Sequence, residues 1–284
     1  MPIVNRECGT LGRVSGAWHS ESMKAAIPLA ILLAACGQSA PEPANDSKAA
    51  TPAAKPAAPA PNAFAYDEKN ELIDYHFGWS AEVAAVPQLV DRFKATMEKD
   101  KAELLASAKA DKAEREKQDF PFNSYSSSTD YKTAGQSGRL LSISVDVANY
   151  TGGAHGNYGT GGLLWDRAQN KQIAIADLFA AAQNMHRLLT QPWCDALNKA
   201  REEKRDEPVG GDGMFDECPK LDEISIIPTD KNGNGKFDRL LLVADPYVAG
   251  PYVEGSYEIE LPVTGDLIAA LRSEYRESFE LQPQ

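Results

Sequence analysis

The 284-residue chain has a formal net charge of −12, with 25% charged and 43% hydrophobic residues, enough to bury one large core or two small ones once targeting sequence is set aside. That acidic balance argues against nucleic acid and anionic lipid as partners and suits a cationic one.

The first organised segment starts at Met23, where the chain reads MKAAIPLAILLAACGQS: one cation, Lys24, then apolar or small residues from Ala25 to Ala35, then Cys36. This is a secretory pattern, too short to span a bilayer. Leu33-Ala34-Ala35-Cys36 resembles the lipobox of bacterial lipoproteins, which implies a signal peptide over 23–35 and a lipid anchor on Cys36. Gly37 resembles sorting to the periplasmic face of the outer membrane. Residues 1–22 resemble no signal n-region, so translation is expected to start at Met23. Cleavage would remove Arg6, Arg13 and Lys24 against Glu7 and Glu21, leaving the mature chain one unit more acidic. Residues 36–62 are rich in alanine and proline and nearly free of aromatics, a composition that cannot offset its ordering entropy and reads as a tether.

Ordered sequence is expected from about residue 63. LIDYHFGWS reads as a strand, and the following segment carries Leu89, Phe93, Met97, Leu104 and Ala108 on one helical stripe with a charged, solvated end. NSYSSSTDYKTA and GRLLSISVDVANY alternate like two antiparallel strands joined near Gly135 and Gly138. GGLLWDRAQNKQIAI predicts a hairpin turning at Asn170, and residues 176–207 a helix kinked or broken at Pro192. DEISIIP, RLLLVADPY and SYEIELPV predict three more strands, and a short helix capped near Thr264 follows. The order implies an α+β architecture of two small subdomains, antiparallel sheets each packed against a helix, divided at 63–165 and 166–284.

Three features could carry chemistry. TGGAHGNYGTGG, residues 151–162, is neither a P-loop nor a dinucleotide fingerprint, because strands stand on both sides and no lysine follows until Lys171. One reading makes His155 a general base with Asp146 or Asp166, as in a cell-wall hydrolase, although no serine or cysteine nucleophile accompanies it. The favoured reading gives Gly152, Gly153 and Gly156 a positive φ in a tight connection that His155 braces by bonding backbone. A third puts Tyr150, Gly152, Gly153, His155, Tyr158 and Trp165 on a recognition surface. The tyrosine-rich ADPYVAGPYVEGSYE adds Tyr247, Tyr252 and Tyr257, divided between core and rim in a way the sequence leaves open.

DKNGNGKFD places Asp230, Asn232, Asn234 and Asp238 at positions 1, 3, 5 and 9 of an EF-hand-like loop, with the Lys236 carbonyl at position 7. Position 12 is Leu241, so calcium would bind weakly, on the order of 0.1 to 1 mM. Asn232-Gly233 and Asn234-Gly235 are also hairpin-turn dipeptides that need no metal. Cys194 and Cys218 remain after processing and predict a disulfide in an oxidising periplasm, worth about 3 kcal/mol.

YTGGAHGN, the strand after it, DRAQNKQIAIADLF, a helix and then ADPYVAGPYVEGSYEIELPVTGDL together resemble the RsiV-like extracytoplasmic domain, with a PdaC-type domain ahead of it, over about residues 65–278. Such pairs occur in lysozyme-sensing anti-sigma factors and beside peptidoglycan deacetylase domains. Nothing here resembles a sigma-binding segment or a deacetylase domain. The resemblance therefore implies a non-catalytic envelope binding module, with a lysozyme-like muramidase or peptidoglycan as ligand and no required cofactor. A structural envelope protein with a calcium-stabilised loop is the remaining alternative.

Overall fold

The computed structural model describes residues 61–209 and 213–282. The signal peptide, Cys36 and the tether lie outside the described residues. β1 (Phe64–Lys69) and β2 (Ile73–Trp79) form an antiparallel hairpin whose turn is fixed by Asn70, its Oδ1 accepting from Leu72 N at 2.8 Å and Ile73 N at 3.0 Å. A short helix α1 (Ala81–Ala84) is capped by Ser80, and α2 (Pro87–Lys117) starts with proline at its first turn. Leu89, Phe93, Met97 and Ala108 are buried along α2, and Leu104 packs part-buried against the same cluster.

β3 (Tyr125–Gln136), β4 (Leu140–Tyr150), β5 (Asn157–Asp166) and β6 (Lys171–Ile173) complete a six-stranded sheet in the order β1-β2-β3-β4-β5-β6. All neighbours are antiparallel except β2 and β3, which run parallel. This corrects the expectation of purely antiparallel sheets. A parallel pair needs a long crossover, and the 31 residues of α2 supply it. The hairpin after β5 turns at Asn170, whose φ of 52° places it in the left-handed region.

α3 (Ala182–Arg205) is continuous through Pro192, so of the kink or break expected there the break does not occur. Pro192 is exposed, so it removes one backbone bond, while Leu189, Trp193 and Leu197 on the opposite face stay in the core. β7 (Ser225–Thr229), β8 (Arg239–Ala244) and β9 (Tyr257–Pro262) make an antiparallel three-stranded sheet, followed by α4 (Gly265–Ala270), with Thr264 Oγ1 accepting from Leu267 N. A 3-10 turn over Ser273–Ser278 ends the regular structure.

Alternation along β4 and β5 builds two cores from one sheet. Leu141, Ile143, Leu163 and Trp165 join the α2 side, whereas Leu140 and Leu164 join Trp193, Leu197, Leu242 and Tyr257 on the side of α3 and the small sheet. Cys194 and Cys218 form the expected disulfide with Cα atoms 5.6 Å apart, tying α3 to the segment before β7.

Asp166, at the end of β5, has no solvent exposure. Its carboxylate accepts from Arg139 Nη2 at 2.9 Å, Gln169 Nε2 at 2.7 Å, Tyr275 Oη at 3.0 Å and the amides of Ala168 and Gln169. Burial pushes its pKa up, but the Arg139, Gln169 and Tyr275 bonds outweigh this and hold it below the usual carboxylate value. Asp166→Ala should lose about 3 kcal/mol or more in urea unfolding at neutral pH, because it strands a partly buried guanidinium. A lowered folded pKa contributes stability that is complete above the unfolded value of about 3.9 and is lost as pH falls through the folded value. Asp166→Asn should therefore show a flatter acid limb of stability than the parent chain.

Candidate functional site

The glycine loop joins β4 to β5, strand on either side. Gly152 and Gly153 have φ of 93° and 102°, as expected. Gly156 is not a positive-φ glycine, and the expectation for it is corrected: a Cβ there would lie 2.7 Å from the Asn149 carbonyl oxygen, so close approach is what requires glycine. Tyr150 Oη donates to Gly153 O at 3.1 Å, and His155 Nδ1 bonds Gly156 O at 2.8 Å.

The tyrosine-rich segment, residues 245–256, straps this loop from outside. It turns through Val248 N to Asp245 O and Tyr247 N to Gly250 O, then makes a 3-10 turn over Tyr252–Glu254. Three cations of α3 hold it. Arg201, wholly buried, donates Nε to Ala249 O at 2.9 Å; Lys204 Nζ donates to the Glu254 and Ser256 carbonyls; Arg205 makes a two-pronged pair with Glu254 at 2.9 and 3.1 Å. Tyr257 Oη also bonds Glu254, and its ring lies in the core. At the other end, Asp245 Oδ1 accepts from Thr160 N at 2.9 Å.

Loop and strap meet at Tyr252. Its hydroxyl donates to Gly156 O at 2.8 Å across 96 residues of chain. Its ring stacks on His155 at 4.0 Å between centroids, with Tyr158 and Tyr247 each at 5.8 Å. Tyr158 is 43% exposed, Tyr247 56% and neighbouring Val253 90%. Six of the seven predicted binding residues thus share one structure: His155, Tyr158, Tyr247 and Tyr252 as a ring cluster, with Gly153 fixed by Tyr150. Gly152 stands next to them in the loop. Trp165, offered as a neighbour, is buried against α2 instead, because its place on β5 points to the other core.

The hydrolase arrangement is not assembled. Asp166 is saturated within the fold, and Asp146 accepts from Lys132 Nζ and Thr160 Oγ1, each at 2.9 Å, while His155 bonds a carbonyl. Burial pushes the Asp245 pKa up, the Thr160 amide lowers it in part, and the negative Asp146 raises it again. Asp245, Arg201 and Glu254 carried no local signal of their role, except that Arg201 continues the four-residue stripe Met185, Leu189, Trp193, Leu197.

The calcium candidates form the β7–β8 turn. Asp230 accepts from the amides of Gly233, Asn234 and Gly235, Asn234 Oδ1 from Lys236 N, and the buried Asp238 from Lys231 N. Glu280 arrives from the C-terminal segment and accepts from Asn232 and Asn234 side chains at 2.7 Å. These bonds brace a hairpin turn. Among the described residues, no three histidine, cysteine or carboxylate side chains group closely enough to hold a metal ion, and no helix is long and apolar enough to cross a membrane.

Residues 67–158 match the model of the family described as Deacetylase PdaC, from β1 to the start of β5. That stretch of the chain, about a third of its length, is thus similar to that family. A solved structure of a DUF3298-family member from Bacteroides fragilis NCTC 9343 is 17% identical, with 76% of this chain and 95% of that chain covered at a TM-score of 0.46. A DUF3298-family protein from Pseudomonas aeruginosa PAO1 is 20% identical, with 74% and 97% covered at a TM-score of 0.42. No curated protein matches the chain.

Tyr252→Phe removes only the bond to Gly156 O and should lose about 1 kcal/mol of stability. Tyr252→Ala removes the shared ring as well, and amide hydrogen exchange over residues 151–156 and 245–255 should accelerate together, ahead of global unfolding. Acceleration in one segment alone would mean that Tyr252 does not couple them.

Proposed function

We propose that the protein is a non-catalytic binding module of the cell envelope, lipid-anchored at Cys36, that recognises a lysozyme-like muramidase through the loop-and-strap aromatic cluster. The observation that carries this reading is the union of two segments 96 residues apart in one cluster of rings, of which Tyr158 and Tyr247 stay exposed beside Val253. Aromatic rings supply rigid contact area at low entropic cost and dominate interface energetics. Support for a non-catalytic role comes from His155, which stacks on Tyr252 and bonds a carbonyl, with no carboxylate among the described residues to orient it. The partner class rests on the resemblance to RsiV-like domains and on the net charge of −12, which favours fast, salt-sensitive association with a basic protein.

Titration calorimetry of the chain carrying Cys36→Ser, disulfide formed, with a chicken-type lysozyme should give micromolar or tighter binding that weakens with added salt. Tyr158→Ala should weaken it at least tenfold, an effect of about 1.4 kcal/mol or more. Absence of heat at both salt concentrations would remove this partner, and co-sedimentation with insoluble peptidoglycan in its place would assign the surface to the polymer.

A further inference from the structure

Between β7 and the face of the large sheet that it covers lies a cavity of about 220 Å³ whose walls include Ser142, Gly162, Leu164, Ile173 and Ile226. We infer that this cavity is a binding site for a small neutral ligand, an apolar body carrying one hydrogen-bonding group that pairs with the Ser142 hydroxyl. It shares no lining residue with the ring cluster and stands apart from the binding-module reading.

Strand register builds the walls. Ser142 on β4 pairs with Leu164 on β5, and Leu164 with Ile173 on β6, so these three side chains share one face of the sheet. Leu141 and Ile143 point the other way and pack with α2. β7 meets the shared face at Gly162, where a Cβ would stand 3.1 Å from Ile227 Cγ1 and 3.4 Å from the Ile226 carbonyl oxygen. Glycine thus lets β7 close down at that point, and the cavity is the space left beside it, toward β6. β6 and β7 are each the outermost strand of their own sheet, and the half-buried Ile175 and Ile224 flank the space between them.

The chemistry of the walls narrows the ligand. None of the described residues that line the cavity is charged. An ion there would lose its hydration without compensation, which excludes metal ions, phosphates and carboxylates. Ser142 is 1% exposed, and its hydroxyl, able both to donate and to accept, has no hydrogen-bond partner among the described residues. Thr229 Oγ1 shares that condition but does not line the cavity. A buried hydroxyl left unpaired is destabilising and alanine would fit the same space, so packing alone gives no reason for serine at 142. An apolar cavity of about 150 Å³ stays dry and takes up benzene. This one has room for a ring with a small substituent, and its leucine and isoleucine walls offer a lone water few of the partners it needs.

The test uses the 15N-labelled full-length chain carrying Cys36→Ser, disulfide formed, titrated with phenol and, separately, with toluene, which carries a methyl group in place of the hydroxyl. Phenol should shift the amides of Ser142, Gly162, Leu164 and Ile173, with an affinity about fivefold above that of toluene. Ser142→Ala should bring the two probes to the same affinity and leave the midpoint of urea unfolding unchanged or higher, since it removes a hydroxyl that nothing pairs. Absence of shifts at the cavity with either probe, equal affinity for both in the parent chain, or a phenol preference that persists in Ser142→Ala would each overturn the inference. So would a lowered urea midpoint in Ser142→Ala, which would mean that ordered water already pairs the hydroxyl. Lysozyme titration reads the other surface, so failure there and failure here are told apart.

Discussion

A guanidinium with no exposure to solvent stands at the root of the site. It belongs to Arg201, and the bonds that hold it run to neutral oxygens. It donates to the carbonyls of Ala249, Asp216 and Glu217 and to Asn198 Oδ1, and burial lowers its pKa, with nearby Arg205 adding to the effect. A buried charge without partners is destabilising by several kcal/mol, so the chain must bring those carbonyls to it. Doing so fixes two separate segments against α3: the one ending at the Cys194–Cys218 disulfide, where Trp193 Nε1 also donates to Pro219 O, and the strap at Ala249. Arg205 and Lys204, further along the helix, secure the far end of the strap at Glu254.

The other constraint is the edge of the large sheet. β6 pairs with β5 only from Leu164 to Asp166, so the outer half of β5 would present unpaired backbone to water. The strap runs there, and Asp245 takes the Thr160 amide that a further strand would have bonded. The ring cluster follows from this edge cover, because a segment fixed at Asp245 and at Glu254 has to place Tyr252 over the glycine loop. Local geometry and long-range anchoring thus meet at the Gly156 carbonyl, which accepts from Tyr252 and contacts the His155 ring.

Much of this was legible in the residues. Period-two alternation marked β3, β4 and β9, Asn170 the turn of its hairpin and Thr264 its helix cap, and processing chemistry paired the two cysteines. The direction of the β2–β3 pairing was not legible, since alternation is the same in either direction and only the crossover length argues for parallel. The break offered at Pro192 does not occur, because propensity sees a missing N–H but not that the ring faces solvent while Trp193 and Leu197 hold the helix down. The site was half legible. Its residue types stood out, but nothing local says that loop and strap meet, and Arg201 sits in a run of charges that reads as a solvated helix end. The stripe from Met185 through Leu197 was the one signal that position 201 faces inward.

The tyrosines of the strap, indistinguishable by sequence, separate by environment. Tyr257 is 1% exposed and belongs to the core. Tyr252 joins loop to strap through its ring and hydroxyl. Tyr247 is different: its φ of 72° puts a bulky residue in the left-handed region, at a cost of about 1–2 kcal/mol relative to an ordinary conformation. Glycine or asparagine would fill that turn with less strain, and a ring that leaves more than half its surface in water recovers little by burial. Packing therefore explains Tyr257 and Tyr252 but not Tyr247. A strained, outward-facing ring held by the Asp245–Val248 and Gly250–Tyr247 turns supports the recognition surface proposed above, and it lies at the rim where Tyr158 and Val253 also project.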